Sequence, residues 1–200
     1  EPRHFVFSKV LSWVAIDRGV RIAKLLGKHE WAAPREILAN EMHADICANG
    51  WSEKAQAFTQ SYGVEDLDAS NLLLADYGFL PASDPRFIST VERTEQELGR
   101  DGLLYRYKNR DDFGEPSSAF TVCSFWLVKA LASIGSRRKA RALFEQLVAA
   151  ANSHGLFGED LDFTTRRHLG NFPQAYSHLA LIDCALALEG EDEHEVLIEA

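Results

Sequence analysis

Two hundred residues, 46% of them apolar, suffice for one domain with a core of its own and exclude disorder or a collagen-like repeat. The 30 acidic residues against 21 basic ones give a formal charge of −9, which argues against nucleic acid, a partner that favours a basic face. No apolar run approaches the ~18 residues that a membrane span needs.

The chain opens at Glu1-Pro2-Arg3 without an initiator Met, so a targeting segment could stand upstream. Residues 7–26 follow helical periodicity, with Val10, Leu11, Val14, Val20 and Leu25 on the apolar side. Ala33-Pro34 opens a second helix, with Pro placed early where its missing N–H matters little, and that helix ends near Asn49-Gly50. A third is expected over 66–74, capped by Asp66 or Asp68. Asp84-Pro85 begins a fourth that stops near Gly99. Residues 120–134 are almost continuously apolar and predict a helix buried on most sides. An amphipathic helix over 137–151 and an apolar one over 176–188 follow, and 189–195 reads as a solvated acidic tail. Cys47, Cys123 and Cys184, odd in number and in apolar helical settings, read as free thiols of a cytoplasmic protein.

Outer, half-polar helices end near Gly50, Gly102 and Gly155, which lie 52 and 53 residues apart. A large apolar residue follows each glycine (Trp51, Leu103, Leu156), then a polar loop of roughly 15 residues, then an apolar helix. Glycine suits the left-handed position that closes a helix. A period of about 50 residues with one exposed and one buried helix per unit signals a helical-hairpin repeat. The apolarity of 120–134 favours a toroid over an open solenoid, making the fold all-α. All the long loops then gather on one face, where function belongs.

Those loops mix aromatics, carboxylates, amides and a guanidinium, as a sugar site requires. Glycoside cleavage needs one carboxylic acid to protonate the leaving oxygen and one carboxylate to attack or to deprotonate water. Glu159, between Leu156-Phe157 and Leu161, has an apolar setting in which desolvation would raise its basicity. The plainer alternative is that Glu159 or Asp160 caps a turn, and Asp111, Asp112 and Asp162 read as turn residues. Tyr105-Arg106-Tyr107 alternates, which places Arg106 on one side and both rings on the other. Arg106 then binds a ligand or an exposed acid. Ser117-Ser118 reads as a helix cap. The seven histidines show no metal-ligand spacing, and no phosphate-binding or nucleophile-elbow motif occurs, so no metal or cofactor is expected.

Several segments together resemble glycoside hydrolase family 15. These are Trp13-Val14-Ala15-Ile16-Asp17-Arg18, Gly50-Trp51, Gln60-Ser61-Tyr62-Gly63, Gly78-Phe79-Leu80-Pro81 and Tyr105-Arg106-Tyr107. The closing block from Gly155 to Asp162, with Gly170-Asn171-Phe172-Pro173-Gln174-Ala175-Tyr176-Ser177-His178, is the most specific. The resemblance implies an (α/α)6 barrel, of which residues 1–200 would be the C-terminal portion, and inverting hydrolysis of α-glucosidic bonds. It assigns the general base to Glu159, a substrate-binding arginine to Arg106 and an aromatic beside the base to Tyr176. It also places Trp51 close to the glucosyl site, and Tyr105, flanking the arginine, is expected to bind substrate with it. The family's general acid stands in a Trp-Glu segment ahead of the pattern beginning at Arg3-His4-Phe5, which this chain does not contain. The expected partner is an α-glucoside or oligosaccharide, with no membrane partner. Exposed apolar faces of a partial ring make a homo-oligomer possible, and the isolated chain is expected to be inactive. The alternative is a non-catalytic helical-repeat binding module.

Overall fold

The computed structural model describes residues 2–111 and 114–189. Helices α1 (Val6–Leu25) and α2 (His29–Asn49) form an antiparallel pair. A 3-10 turn (Ala69–Leu73) packs against α3 (Pro85–Leu98), and α4 (Thr121–Ser133) against α5 (Arg137–Val148) and α6 (Ala175–Glu189). The inner row is therefore α1, the 3-10 turn, α4 and α6, and α2, α3 and α5 cover it.

The division follows the side chains. In α3, Phe87, Thr90, Val91, Thr94 and Leu98 recur at intervals of three, one, three and four, which makes a single buried stripe. Asp84 caps that helix by accepting from Arg86 N, and Pro85 takes the first turn. In α4, every residue except Lys129 and Ser133 is buried. Phe125 and Phe157 meet edge to face at 5.4 Å in the core, and Cys184 Sγ donates to the Phe125 carbonyl. Each such ring contributes about 1.5–3 kcal/mol by burial.

Four expectations are corrected. The helix over 66–74 is only the five-residue 3-10 turn, because Leu72-Leu73-Leu74 is buried in place and the chain turns away at Tyr77-Gly78. Helix α2 begins at His29, so Pro34 lies inside it and removes the N–H that would bond to the Glu30 carbonyl. Gly50 closes α2 with right-handed backbone (φ −87°) rather than left-handed. What requires glycine there is space, since a Cβ would lie 2.7 Å from the Ile46 carbonyl and 3.1 Å from Val6. Asp101-Gly102, both at positive φ, turn a short hairpin beyond the end of α3.

That hairpin joins β3 (Gly99–Arg100) to β4 (Leu103–Leu104), and β1 (Trp51–Ser52) pairs with β2 (Ala57–Phe58) after α2. The third connection supplies β6 (Asp160–Leu161), which lies between β5 (Ala119–Phe120) and β7 (His168–Leu169). All pairs are antiparallel, with Phe120 opposite Asp160 and Asp160 opposite Leu169. Helix α6 leaves a stripe of Leu179, Ile182 and Leu186 exposed by 63%, 55% and 62%. Leu25 and Trp31 are exposed at the other end of the row. Among the described residues, no helix is long and apolar enough to cross a membrane.

Candidate active site

The long connections deliver their polar groups to the N-terminal ends of the inner elements. Asp68 caps the 3-10 turn, its Oδ1 accepting from Ser70 N at 2.8 Å and Ser70 Oγ at 2.7 Å. The same oxygen accepts from Arg106 Nε at 2.6 Å, while Ala69 N donates to the Arg106 carbonyl. Burial works against the Arg106 charge, but the neighbouring Asp68 carboxylate outweighs it and holds the guanidinium above its ordinary value. The guanidinium carbon sits 5.7 Å from the centre of the Trp126 ring on α4, and Tyr176 on α6 meets the same ring edge to face at 5.9 Å. Cys123 is wholly buried on the same helix, and burial pushes its thiol well above the usual range.

A cavity of about 520 Å³ opens beside this pair, lined by Gln60, Asp68, Arg106, Tyr107 and Arg110, with Phe7 of α1. The alternation expected of Tyr105-Arg106-Tyr107 does not hold, because the segment forms no strand. Tyr105 leaves to pack at a tilt against Phe163 at 4.3 Å, whereas Tyr107 joins Arg106 at the cavity and donates to Asp111. That bond, with burial adding to it, pushes the Tyr107 hydroxyl up to about 12. Trp51 packs on Phe58 at 5.6 Å and donates to Glu53, and is not among the residues lining the Arg106 cavity.

Glu159 immediately precedes β6. Its carbonyl accepts from Thr121 N at 2.9 Å, which ties it to the first residue of α4, the helix that carries Trp126. Oε2 accepts from the Asn171 backbone N–H at 3.0 Å and from Asn171 Nδ2 at 2.9 Å. Oε1 has no hydrogen bond among the described residues. The apolar neighbours Phe157 and Leu161 are buried in the core, while Glu159 itself is partly exposed. Desolvation is felt by Asp160, whose carboxyl burial raises; the Ser118 hydroxyl donating to it opposes the shift, and Glu159 adds to it. Ser118 is thus bound to Asp160 and does not cap α4, whose N-cap Phe120 has no side-chain bond. Asp162 is the expected turn residue, accepting from Thr164 N and from Thr165 N and Oγ. Asp111 closes a turn with Gly114, and Asp112 lies outside the described residues.

Arg106, on its Asp68 partner, and Tyr176 thereby meet at Trp126, while Glu159 is tied through its backbone carbonyl to the head of the same helix; neither Glu159 nor Tyr176 is among the residues lining the Arg106 cavity. Trp126 and Asn171 were not assigned roles from sequence. Trp126 is hidden within an apolar run, and Asn171 acts on a residue 12 positions earlier. The three cysteines are free thiols. Among the described residues, no three His, Cys, Asp or Glu side chains form a group able to hold a metal ion.

Paired helices, with an apolar inner row and long connections converging at its N-terminal ends, define a toroid of the (α/α)6 glycosidase type. The chain belongs to the glycosyl hydrolases family 15, whose model matches residues 1–186. It is 44% identical over 197 residues to a trehalase of Mycolicibacterium smegmatis, covering 96% of this chain and 29% of the relative. A trehalase of Thermoplasma acidophilum is 38% identical over 190 residues, covering 94% of this chain and 33% of the relative. The chain therefore spans only a minor part of the length of these curated relatives. A wild-type glycosidase superposes with a TM-score of 0.78 at 18% identity, over 93% of this chain and 52% of that one. A bacterial glucoamylase complexed with acarbose gives 0.75 at 13% identity, over 92% and 33%. These two likenesses concern the fold.

Proposed function

We propose that the protein to which this chain belongs hydrolyses an α-glucosidic bond with inversion, and that Glu159 is its general base. The observation that carries this is the half-occupied carboxylate of Glu159. One oxygen is fixed by Asn171 and the other has no hydrogen bond among the described residues, beside the head of the helix whose Trp126 holds Arg106 and Tyr176. Oε1 takes a proton from water as the water oxygen bonds to the anomeric carbon. The bond from that carbon to the leaving oxygen breaks, and a second carboxylic acid, supplied by another part of the protein, gives the leaving oxygen its proton. Inversion sets the two carboxyl groups about 6.5–9.5 Å apart, leaving room for the water. Arg106, held on Asp68, donates to sugar hydroxyls, and the half-exposed Tyr176 ring, backed by buried Trp126, offers a face for sugar C–H groups.

The relatives named trehalases support trehalose as the substrate. The free thiols support a reducing, cytoplasmic setting. Residues 1–200 would form the C-terminal portion of one barrel catalytic domain and, taken alone, release no glucose. The test is Glu159→Gln in the intact protein, assayed on a panel of α-linked glucosides with polarimetry for the first-formed anomer. Loss of turnover by about 10²–10⁴ is expected, with β-glucose formed first from the attacked ring by the unmodified enzyme and, from trehalose, an equal amount of α-glucose as the leaving sugar. Near-full turnover by the variant would remove Glu159 from the mechanism. Sugar binding without turnover by the unmodified protein would make it a binding module.

A further inference from the structure

Glu159 is gripped by the far arm of its own loop. Both donors on its Oε2, the backbone N–H and the Nδ2 of Asn171, come from one residue, and Glu159 N returns a bond to the Asn171 carbonyl at 2.9 Å. The preceding residue brings the two strands this close. At Gly170 (φ +73°) a Cβ would lie 2.7 Å from Glu159 Oε2 and 3.0 Å from Glu159 Cβ. Any other side chain there would be strained in backbone and would displace the carboxylate. The backing is also fixed: Ser177 Oγ donates to the Gly158 carbonyl, Gly158 N to His168 Nδ1, and Gln174 N to the Phe157 carbonyl.

We propose that Asn171 is the positioning residue of the general base, pinning Oε2 so that Oε1 alone is presented to the attacking water. The proposal rests on the reading of Glu159 as base. The torsion that turns a glutamate carboxylate is broad and roughly two-fold, so an unrestrained group presents either oxygen over a wide range of angles. A base must hold its proton partner within about 2.6–3.2 Å, and misplacement by ~1 Å lowers rates by about 10²-fold. Deleting the Asn171 amide removes one of two donors and leaves the backbone N–H in place. The expected loss therefore falls short of that limit.

The experiment uses the intact protein with trehalose as substrate and compares kcat and KM for Asn171→Ala and Gly170→Ala, each also in a Glu159→Gln background. Asn171→Ala is expected to lower kcat by about 10- to 100-fold with KM changed less than about three-fold. Asn171→Asp, isosteric but carrying a like charge against Glu159, should be at least as slow. Gly170→Ala should also lower kcat through the displaced carboxylate. In the Glu159→Gln background, Asn171→Ala should produce no further loss, because it acts only through the base. An unchanged kcat, a rise in KM alone, or an equal loss in both backgrounds would overturn the proposal. An active Glu159→Gln would fail the base reading and this proposal with it. An inactive Glu159→Gln beside a fully active Asn171→Ala would leave the base in place and overturn only the positioning role.

Discussion

Replacing Arg106 by Leu in the intact protein should destabilise it more than replacing Asp68 by Asn, although the two side chains form one ion pair. Stranding one member of a fully buried pair costs about 3–5 kcal/mol. Here the pair is lopsided, since the Asp68 side chain is 11% exposed and that of Arg106 is 32% exposed. Arg106→Leu leaves the more buried charge behind, with the two Ser70 donors on its Oδ1 as its remaining partners among the described residues. Discounted for the partly open geometry and those donors, the expected loss is ~2 kcal/mol. Asp68→Asn leaves a guanidinium that can be hydrated from the adjoining cavity, and the Asn oxygen can still accept from Ser70, so ~1 kcal/mol is expected. The double variant should fall short of the sum by ~1 kcal/mol, the coupling of groups in direct contact. Urea denaturation, with the slope unchanged so that midpoints convert to free energy, reads all three. Equal losses in the two single variants, or a double variant equal to their sum, would refute the claim that the more buried member of a coupled pair is the costlier one to strand.

Phe125→Ala empties a fully buried site facing Phe157, and should destabilise the intact protein by about 3–5 kcal/mol in thermal or urea unfolding. Asp160, whose carboxyl burial raises, binds its proton more tightly folded than unfolded, so its contribution is present at low pH and lost as pH rises through the folded value. Asp160→Asn should therefore gain stability relative to the unmodified protein on going from pH near 3.8 to neutrality, a difference that melting temperatures at the two pH values would show. Alkylation of the native protein, mapped by mass spectrometry, should label Cys47 well before Cys123 and Cys184, which are buried; equal labelling would contradict their placement.

Where the sequence dictates burial directly, the fold could be read from it. The run from Thr121 to Ala132 is apolar on most faces, with Lys129 its one charge, so an inner helix houses it best, and Asp84-Pro85 marks the start of α3 by cap and fixed φ together. Elements decided by distant packing were not legible. Leu72-Leu73-Leu74 has no periodicity to distinguish a 3-10 turn from a helix, and the two-residue strands are too short to alternate. At the site, Glu159 and Arg106 stood out by residue type and neighbours. Their partners did not, because Asp68 meets Arg106 across 38 residues and Asn171 meets Glu159 across a loop whose register is set by β5, β6 and β7. Trp51 follows a helix-ending glycine, and the β1–β2 hairpin turns it onto Phe58, a contact no local pattern announces.

The three-stranded ribbon joins the connection before α4 to the one before α6, and Thr121 N closes it onto Glu159. A carboxylate anchored in this way cannot swing in as a latch. Any displacement of the Glu159 backbone drags the head of α4 and the Asn171 arm along, while the carboxylate itself is held by the two Asn171 donors. A sugar bound as proposed above would thus meet a backbone held fixed, and any larger rearrangement has to be borne by segments outside this ribbon.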